Sequence, residues 1–213
     1  MESTLGNIKV TRTARYFMLG DRSLPLTAVI YVLHGYGMDA KSFLEQFRIL
    51  LKPGIVIVAP EGLSRFYRKG FSGEVVASWM TREDRLHEID DYINFLDSLH
   101  EFLFEGVKPK TYVVGFSQGT AAGSRWIASG KTEIKEFVVW CGEFASETEP
   151  DPVFFPLIRH VIALKDVFIT PGQYENQTGR LRSKGAEVKV YSFNGPHEID
   201  TTTLQRVFSE AGI

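Results

Sequence analysis

Short apolar stretches alternate along the chain with longer segments in which apolar residues recur every three or four positions. The short stretches are rich in β-branched and aromatic residues and predict buried strands, whereas the longer segments have the period of amphipathic helices. Strands are expected at residues 8–19, 28–33, 55–59, 112–114, 137–140, 161–164 and 187–192, and helices at residues 40–50, 82–104, 120–128, 172–183 and 200–211. Apolar strands that alternate with helices indicate the α/β class, with a mostly parallel central sheet covered by helices on both faces.

The longest predicted helix, 82–104, has the clearest helical pattern. Thr81, with Asp84 three residues later, resembles a capping box at its start. Its buried stripe is expected to comprise Leu86, Ile89, Ile93, Leu96, Leu99 and Leu103. His87 and His100 fall on the same helix and are expected at its surface or boundary.

Length, charge and cysteine content limit what the chain can be. Its 213 residues, 44% of them hydrophobic, suit one domain spanning residues 1–213. The formal net charge of -2 argues against nucleic acid or an anionic membrane surface as the main partner. The N-terminus lacks the pattern of a secretory signal, and no apolar run is long enough for membrane insertion. The single cysteine, Cys141, excludes an internal disulfide, so a cytoplasmic location is the simplest expectation.

The most informative motif is Gly-x-Ser-x-Gly around Ser117, directly after an apolar run. Between a strand and a helix this is the form of a nucleophile elbow, a sharp turn that lifts the serine oxygen clear of the sheet. Gly115 and Gly119 flank a serine with a strained backbone, and a side chain at either position would clash with the neighbouring strand or helix. The motif predicts hydrolysis by a serine nucleophile.

A serine hydroxyl needs a base to accept its proton, and in this order of elements the histidine follows the serine. Of the two histidines after Ser117, His160 stands at the start of the predicted strand 161–164, at the sheet edge opposite the nucleophile. His197 lies in a turn-rich loop after the strand 187–192, at the same edge as Ser117. His197 is therefore predicted as the general base.

The acid that orients this histidine is chosen by the same topology. Asp151 lies between prolines in a loop, whereas Asp166 comes immediately after the strand 161–164, at the correct edge. Glu143 is the one glutamate placed similarly after a strand, and it remains the alternative. Asp166 is predicted to orient His197 and to stabilise its charged form.

An oxyanion hole is expected at the same edge, where His34-Gly35-Tyr36-Gly37 follows the strand 28–33. Glycines permit a tight loop whose backbone N–H faces the reacting carbonyl. The backbone N–H groups of Tyr36 and of Gln118, the residue after the nucleophile, are the predicted donors. His34 is expected to organise the loop.

Together these segments resemble the carboxylesterase and phospholipase family that includes the acyl-protein thioesterases. The matching segments are 34–37, 78–80, 115–119, Asp166 with Val167 and Pro171, and 195–199. The resemblance extends from about Ala28 to the C-terminus. It implies an α/β-hydrolase fold without a large cap domain, and the cleavage of small-molecule carboxylic esters or thioesters with no cofactor and no metal.

Three departures from the family pattern leave the substrate open. Thr120 stands where a second glycine is usual, Tyr36-Gly37-Met38-Asp39 replaces the commoner Leu-Gly-Asp, and Met80-Thr81 follows the tryptophan instead of an aromatic residue and an aspartate. These changes are expected around the acyl and leaving-group pockets.

The substrate pocket is expected to involve Trp79 and the loop at residues 64–71. The aromatic residues Phe66, Tyr67 and Phe71 suit the lining of an acyl pocket, and the loop's basic residues suit an acidic substrate. The alternative is a solvated loop whose basic residues lie over tucked aromatics.

The sequence leaves functions of two classes. One is a serine hydrolase that forms an acyl-enzyme on Ser117; the other is a catalytically inert binding protein with the same fold. A third interpretation keeps the chemistry but changes the bond to amides or carbohydrate-linked esters. Cys141 is not expected to be a nucleophile because no elbow surrounds it, and a homodimer and a monomer are both open.

Overall fold

The computed structural model describes residues 3–23, 25–148 and 155–213. The N-terminal elements are β1 (Tyr16–Leu19), β2 (Ala28–Leu33), α1 (Ala40–Glu45), a short 3-10 helix (Arg48–Leu50) and β3 (Ile55–Pro60). The middle of the chain contains β4 (Ser64–Lys69), β5 (Ser72–Ser78), α2 (Arg85–Phe104), β6 (Lys110–Phe116) and α3 (Gln118–Ser129). The C-terminal elements are β7 (Glu136–Trp140), β8 (Leu157–Ala163), α4 (Pro171–Ser183), β9 (Val188–Phe193) and α5 (Thr201–Glu210).

Seven strands form one sheet in the order β1-β3-β2-β6-β7-β8-β9. The edge strand β1 pairs antiparallel with β3, and the other neighbours pair in parallel. Helices α1 and α5 pack on one face of the sheet, and α2, α3 and α4 pack on the other. The predicted α/β fold, with a mostly parallel sheet covered on both faces, is confirmed.

The central strands are apolar on both sides because each side meets a helical layer. All six residues of β2 are buried. Ile30 and Val32 belong to one core cluster, and Val29, Tyr31 and Leu33 to the other. Full burial of each such aliphatic side chain contributes about 1.5–3 kcal/mol, so β2 is a large part of both cores.

Three predicted element boundaries are wrong by four residues or more. The first strand covers residues 16–19 and not 8–19, since Ile8 and Val10 are 87% and 78% exposed and have no sheet neighbour. Helix α1 ends at Glu45, and only a 3-10 helix continues it. Strand β8 starts at Leu157, so His160 is a buried residue in the middle of the strand rather than one at its start.

The predicted loop at residues 64–71 forms the first strand and the turn of a β-hairpin that extends to Ser78. Strands β4 and β5 pair antiparallel, with Phe66 opposite Val76, and Gly70 makes the turn with a φ of 70°. A bridge between Met38 and Ala77 joins this hairpin to the loop after β2. Within the described ranges it is the only strand pair outside the main sheet, and no large cap domain is present.

Helix α2 begins three residues later than predicted. Asp84 has a left-handed backbone, with a φ of 49°, and its side chain caps no amide, so the predicted capping box is wrong. The Thr81 hydroxyl bonds Glu83 and Glu88 instead. Leu86 is 72% exposed, so the buried stripe starts further along the helix, at Ile89. No helix in the described ranges has the length and apolar character needed to cross a membrane.

Candidate active site

The carboxyl ends of the parallel strands bring four chain segments to one edge of the sheet. His34 follows β2, Ser117 follows β6, Asp166 lies three residues after β8, and His197 lies four residues after β9. Backbone bonds hold the last two loops side by side, since Lys165 N–H donates to the Gly195 carbonyl at 3.0 Å. This is the edge at which α/β sheets bind their ligands.

Ser117 occupies a strained turn between β6 and α3. Its φ of 52° and ψ of -119° lie outside the regions that non-glycine residues favour, and its N–H donates to the Trp140 carbonyl at 3.0 Å. A Cβ on Gly115 would lie 2.6 Å from the Gly119 carbonyl oxygen, and a Cβ on Gly119 only 2.0 Å from the Leu33 oxygen. Both glycines are thus required by the close approach of strand and helix.

Asp166 and His197 form a hydrogen-bonded pair. The Asp166 Oδ2 lies 2.9 Å from His197 Nδ1 and also accepts a bond from the Tyr174 hydroxyl at 2.6 Å. Its Oδ1 accepts the N–H groups of Phe168 and Ile169. Burial works to raise the pKa of Asp166, but the bonds from Tyr174, His197 and Phe168 outweigh it and hold this pKa below its ordinary value. The acid is therefore ionised at neutral pH.

The histidine has the partner that the sequence favoured. Because an ionised carboxylate can only accept, the proton between the two groups lies on His197 Nδ1, and in a neutral imidazole this leaves the lone pair on Nε2. Glu143, the alternative acid, is an exposed residue. Asp151, set aside earlier, lies outside the described residues.

The His197 ring packs between two phenylalanines. Its centroid is 4.8 Å from that of Phe116, the residue before Ser117, and 4.8 Å from that of Phe168, which it meets edge-on. The imidazole is thus held against the strand that carries the serine. Phe168 is 72% exposed and was not identified from the sequence, where its only signal is its position two residues after Asp166.

The two backbone N–H groups predicted as oxyanion donors form no hydrogen bond to another described residue. The Gln118 N–H belongs to the first turn of α3, where helical amides have no intrahelical acceptor. In the loop after β2, the Gly35 and Gly37 amides are bonded to Met38 Sδ and the Ala77 carbonyl, whereas no described residue accepts from the Tyr36 N–H. A Cβ on Gly35 would lie 3.2 Å from the Ser117 Cβ, so the loop passes directly against Ser117.

His34 holds this loop in place. Its Nε2 accepts the Gly62 N–H at 3.0 Å, so Nδ1 carries the proton and donates to the Gly35 carbonyl at 2.8 Å. Burial lowers the pKa of His34, which keeps the ring neutral. The expected loop-organising role fits these contacts.

Trp79 lies beneath residues 34–37, the predicted oxyanion loop. It is 1% exposed, its indole N–H donates to the His34 carbonyl at 2.8 Å, and its ring stacks on His34. Its backbone N–H donates to the Gln118 side chain, which in turn donates to the Met80 carbonyl at 2.8 Å. These contacts give Trp79 a supporting position instead of an open pocket wall.

The hairpin residues are split between two sides of β4. Phe66 faces the oxyanion loop, with its ring centroid 5.4 Å from that of Tyr36, and Arg68 donates to the Gly37 carbonyl. Tyr67 points to the other face of the strand and is 50% exposed. Phe71 is fully exposed at the hairpin tip. The structure therefore brings Phe66 to the site but gives Tyr67 and Phe71 no contact with it.

Two of the family departures have local structural roles. Thr120 is fully buried under the elbow, where its hydroxyl donates to the Gly115 carbonyl at 2.6 Å. Asp39 caps α1 by accepting the Ser42 N–H at 2.7 Å. These contacts give Thr120 and Asp39 structural roles, and the effect of the three departures on the substrate pockets stays a prediction.

One group of potential metal ligands occurs in the described part of the chain, and it coincides with this site. Ligand atoms of Cys141, Asp166 and His197 lie within 4.8 Å of one another. Burial raises the pKa of Cys141 to about 12, so its thiol is protonated, and Asp166 is already bonded to His197. The same protonation makes Cys141 a poor nucleophile.

No protein-family model and no curated protein sequence matches the chain. Solved structures do match it. Esterase PE8 superimposes with a TM-score of 0.74 and 18% identity, over 94% of this chain and 99% of that one. Zea mays acyl-protein thioesterase 2 gives 0.71 and 17%, over 94% and 98%, and the Bacillus cereus carboxylesterase 0.69 and 15%, over 93% of each. The chain therefore has the α/β-hydrolase fold, as the resemblance in its sequence predicted, and its structural neighbours include named esterases and an acyl-protein thioesterase.

Proposed function

We propose that the chain is a carboxylesterase-type serine hydrolase that cleaves carboxylic esters or thioesters through an acyl-enzyme on Ser117. One observation carries the proposal. Ser117 occupies a strained elbow at the end of β6, and the His197 ring, bonded to Asp166, packs on the adjoining Phe116. A nucleophile, a base and an acid in this order and at this edge are the parts that acyl transfer requires.

The reaction follows from these positions. His197 Nε2 takes the proton of the Ser117 hydroxyl as its oxygen attacks the ester carbonyl carbon. The N–H groups of Gln118 and Tyr36 stabilise the oxyanion that forms. The bond to the leaving alcohol or thiol breaks, and His197 returns the proton to it. Water then attacks the acyl-enzyme, again losing a proton to His197, and releases the acid and free Ser117.

Charge supports the same assignment. The positive imidazolium forms only during the reaction, and the Asp166 carboxylate beside it is ionised at neutral pH because its hydrogen bonds lower its pKa. Asp166 therefore stabilises His197 most in the transition state, which is the condition for lowering a barrier.

The surroundings favour an apolar acyl group. Apolar and aromatic side chains flank the site on two sides. Exposed Tyr36 and half-buried Phe66 lie at the loop after β2, and exposed Val167 and Phe168 lie beside His197. Pockets that bind small molecules are mostly apolar with a few convergent polar groups, and this arrangement has both. Among the structural neighbours, a carboxylesterase and an acyl-protein thioesterase carry names of the same reaction class.

The test is intact-mass analysis after treatment with a fluorophosphonate, which captures a serine only when base and oxyanion hole both work. We expect a single adduct on the wild type and none on Ser117→Ala. Ser129→Ala is the matched control, because Ser129 is exposed at the far end of the same helix and should leave labelling unchanged. A folded wild-type protein that takes no adduct would overturn the proposal in favour of the inert binding protein. A series of esters, thioesters and amides of increasing acyl length then defines the bond cleaved.

A further inference from the structure

A buried tyrosine shares the carboxylate oxygen that the catalytic histidine uses. The Tyr174 hydroxyl donates to Asp166 Oδ2 at 2.6 Å, and the same oxygen lies 2.9 Å from His197 Nδ1. Tyr174 is 1% exposed, and the Asp166 side chain is fully buried. The Asp166 side chain has no exposure to solvent, so the two donors divide the charge of this oxygen between them.

The start of α4 fixes where the hydroxyl points. Thr170 caps the helix in a full capping box with Gln173, and Pro171 occupies the first turn. The Tyr174 N–H donates to the Thr170 carbonyl at 3.2 Å, and the ring packs edge-on against His160 at 5.4 Å. A rigid helix start and a packed ring therefore deliver the hydroxyl to Asp166.

Several titratable groups surround Asp166 and His197. Together they come from every element that packs against these two residues. They are Cys141 directly after β7, His160 on β8, Lys165 beside Asp166, Tyr174 on α4, and Glu198 beside His197. His160 has a pKa lowered to about 4 by burial, and the Cys141 thiol a pKa raised to about 12 by burial, so both are neutral at pH 5–8. Burial and the neighbouring Asp166 also raise the pKa of Tyr174. The tyrosine is therefore a donor, and not an anion, throughout this range.

We propose that Tyr174 is a positioning residue of the hydrolase, which holds Asp166 in place and weakens its pull on the protonated His197. The proposal rests on the proposed function. A hydroxyl bonded to Oδ2 withdraws charge from the oxygen that stabilises the imidazolium. Protonated His197 then loses its proton at a lower pH than it would without the tyrosine. Tyr174 therefore extends the pH range of activity towards acid.

The test is the pH profile of kcat/KM for Tyr174→Phe, with a short-chain ester as substrate. The phenylalanine keeps the ring against His160 and removes only the donor. We expect the acidic limb of the profile to move to higher pH by ~0.3–0.7 pH unit. This is the effect of losing one hydrogen bond to an oxygen that Tyr174 shares with His197. At pH values well below the midpoint of this limb, the displacement lowers kcat/KM about two- to fivefold. On the plateau, the change in kcat/KM is smaller.

Tyr191→Phe is the matched control. It also removes a buried hydroxyl that donates to a carboxylate, that of Glu210 at 2.7 Å, but it does so away from the site. Its acidic limb should coincide with that of the wild type. In an Asp166→Asn background, Tyr174→Phe should change the rate less than about twofold, because a residue that acts through Asp166 has nothing left to act on.

The outcomes separate this inference from the proposed function. If the wild type takes a fluorophosphonate adduct but Tyr174→Phe has an unmoved or lowered acidic limb, Tyr174 has only a packing role and this proposal alone is overturned. If the wild type takes no adduct, the proposed function fails first. Should Tyr174→Phe not fold, Tyr174→Met is a second variant without a hydroxyl donor, and its acidic limb must show the same upward displacement.

Discussion

At the scale of single residues, the Asp166 carboxylate is the most constrained group of the site. It accepts bonds from the Tyr174 hydroxyl, from His197 Nδ1 and from the N–H groups of Phe168 and Ile169. A buried carboxylate is costly unless it is paired and hydrogen-bonded. These donors let the side chain stay ionised at 0% exposure, next to the histidine whose charge it must balance.

Asp166→Asn should keep the fold and lower kcat by about three to four orders of magnitude, because an amide cannot fix the His197 tautomer or balance its charge. Steady-state hydrolysis of a small ester measures this. Glu143→Gln is the control, since Glu143 is exposed and was the alternative acid; it should stay within about twofold of the wild type. The reverse pattern would move the acid to Glu143.

Sequence reasoning identified Ser117, His197 and Asp166 as candidate site residues, but not Tyr174 or Phe168. The first three follow strands whose order and direction the apolar pattern indicates, so topology alone selects them. Tyr174 reaches Asp166 from the first turn of α4, and Phe168 reaches His197 from a short loop. Such contacts depend on the rotation of a helix and the path of a loop, which residue order does not specify.

At the scale of elements, α3 packs very closely on the sheet. A Cβ on Gly119 would lie 2.0 Å from the Leu33 oxygen, and one on Gly123 would lie 2.8 Å from the Phe137 ring. The small residues after Ser117 therefore let the helix approach β2 and β7 closely. This approach sets the direction in which the first turn of α3 presents the Gln118 N–H.

Gly119→Ala should destabilise the protein by about 3 kcal/mol or more, because the new methyl meets a backbone carbonyl that cannot move away. Urea unfolding followed by circular dichroism measures the change. Gly179→Ala is the matched control: Gly179 is an exposed residue within α4, and nothing lies within 4 Å of its added Cβ. That variant should be stabilised by up to about 1 kcal/mol. Equal midpoints for the two variants would refute the packing argument.

The hairpin was the element that sequence reasoning missed. In residues 64–71 two aromatic residues are adjacent among basic ones, which lacks the alternation of a half-buried strand. Pairing with β5, with Arg65 opposite Ala77 and Phe66 opposite Val76, stabilises the extended form instead. Strand propensity depends on the partner strand, so a segment read alone predicts it poorly.

At the scale of the whole molecule, His160 links three elements next to the site. Its Nδ1 donates to the Thr178 hydroxyl at 2.7 Å, and its Nε2 accepts from the Gln177 side chain at 3.1 Å. The same Gln177 amide accepts the Phe144 N–H at 2.7 Å and donates to the Gly142 carbonyl. A neutral imidazole thus connects β8, α4 and the loop after β7.

This network should make folding stability depend on pH. Burial lowers the pKa of His160 from 6.5 to about 4, so between these values the unfolded chain binds more protons than the folded one. Stability should therefore fall as pH falls through this window, by about 2 kcal/mol from pH 7 to pH 5 for this residue. Urea unfolding at the two pH values measures the loss.

His160→Gln should reduce that acid-dependent loss, although it lowers stability at neutral pH. His87→Gln is the control, because His87 is exposed and its bond to Asp84 raises its pKa, which makes its contribution opposite in sign. A loss between pH 7 and pH 5 that is as large in His160→Gln as in the wild type would contradict the role assigned to His160.

The sequence by itself determined the mostly parallel sheet, its two helical layers and the sheet edge to which the segments of Ser117, Asp166 and His197 belong. These features follow from local patterns. The period of the apolar residues, the positions of the glycines and the direction of each strand depend on residues that are close together in the chain. Only the tertiary structure decided that residues 64–78 form a hairpin, that Trp79 and Thr120 lie beneath the site, and that Tyr174 shares the oxygen of Asp166. Each of these depends on contacts between residues far apart in the chain, whose energies arise only once the elements have packed.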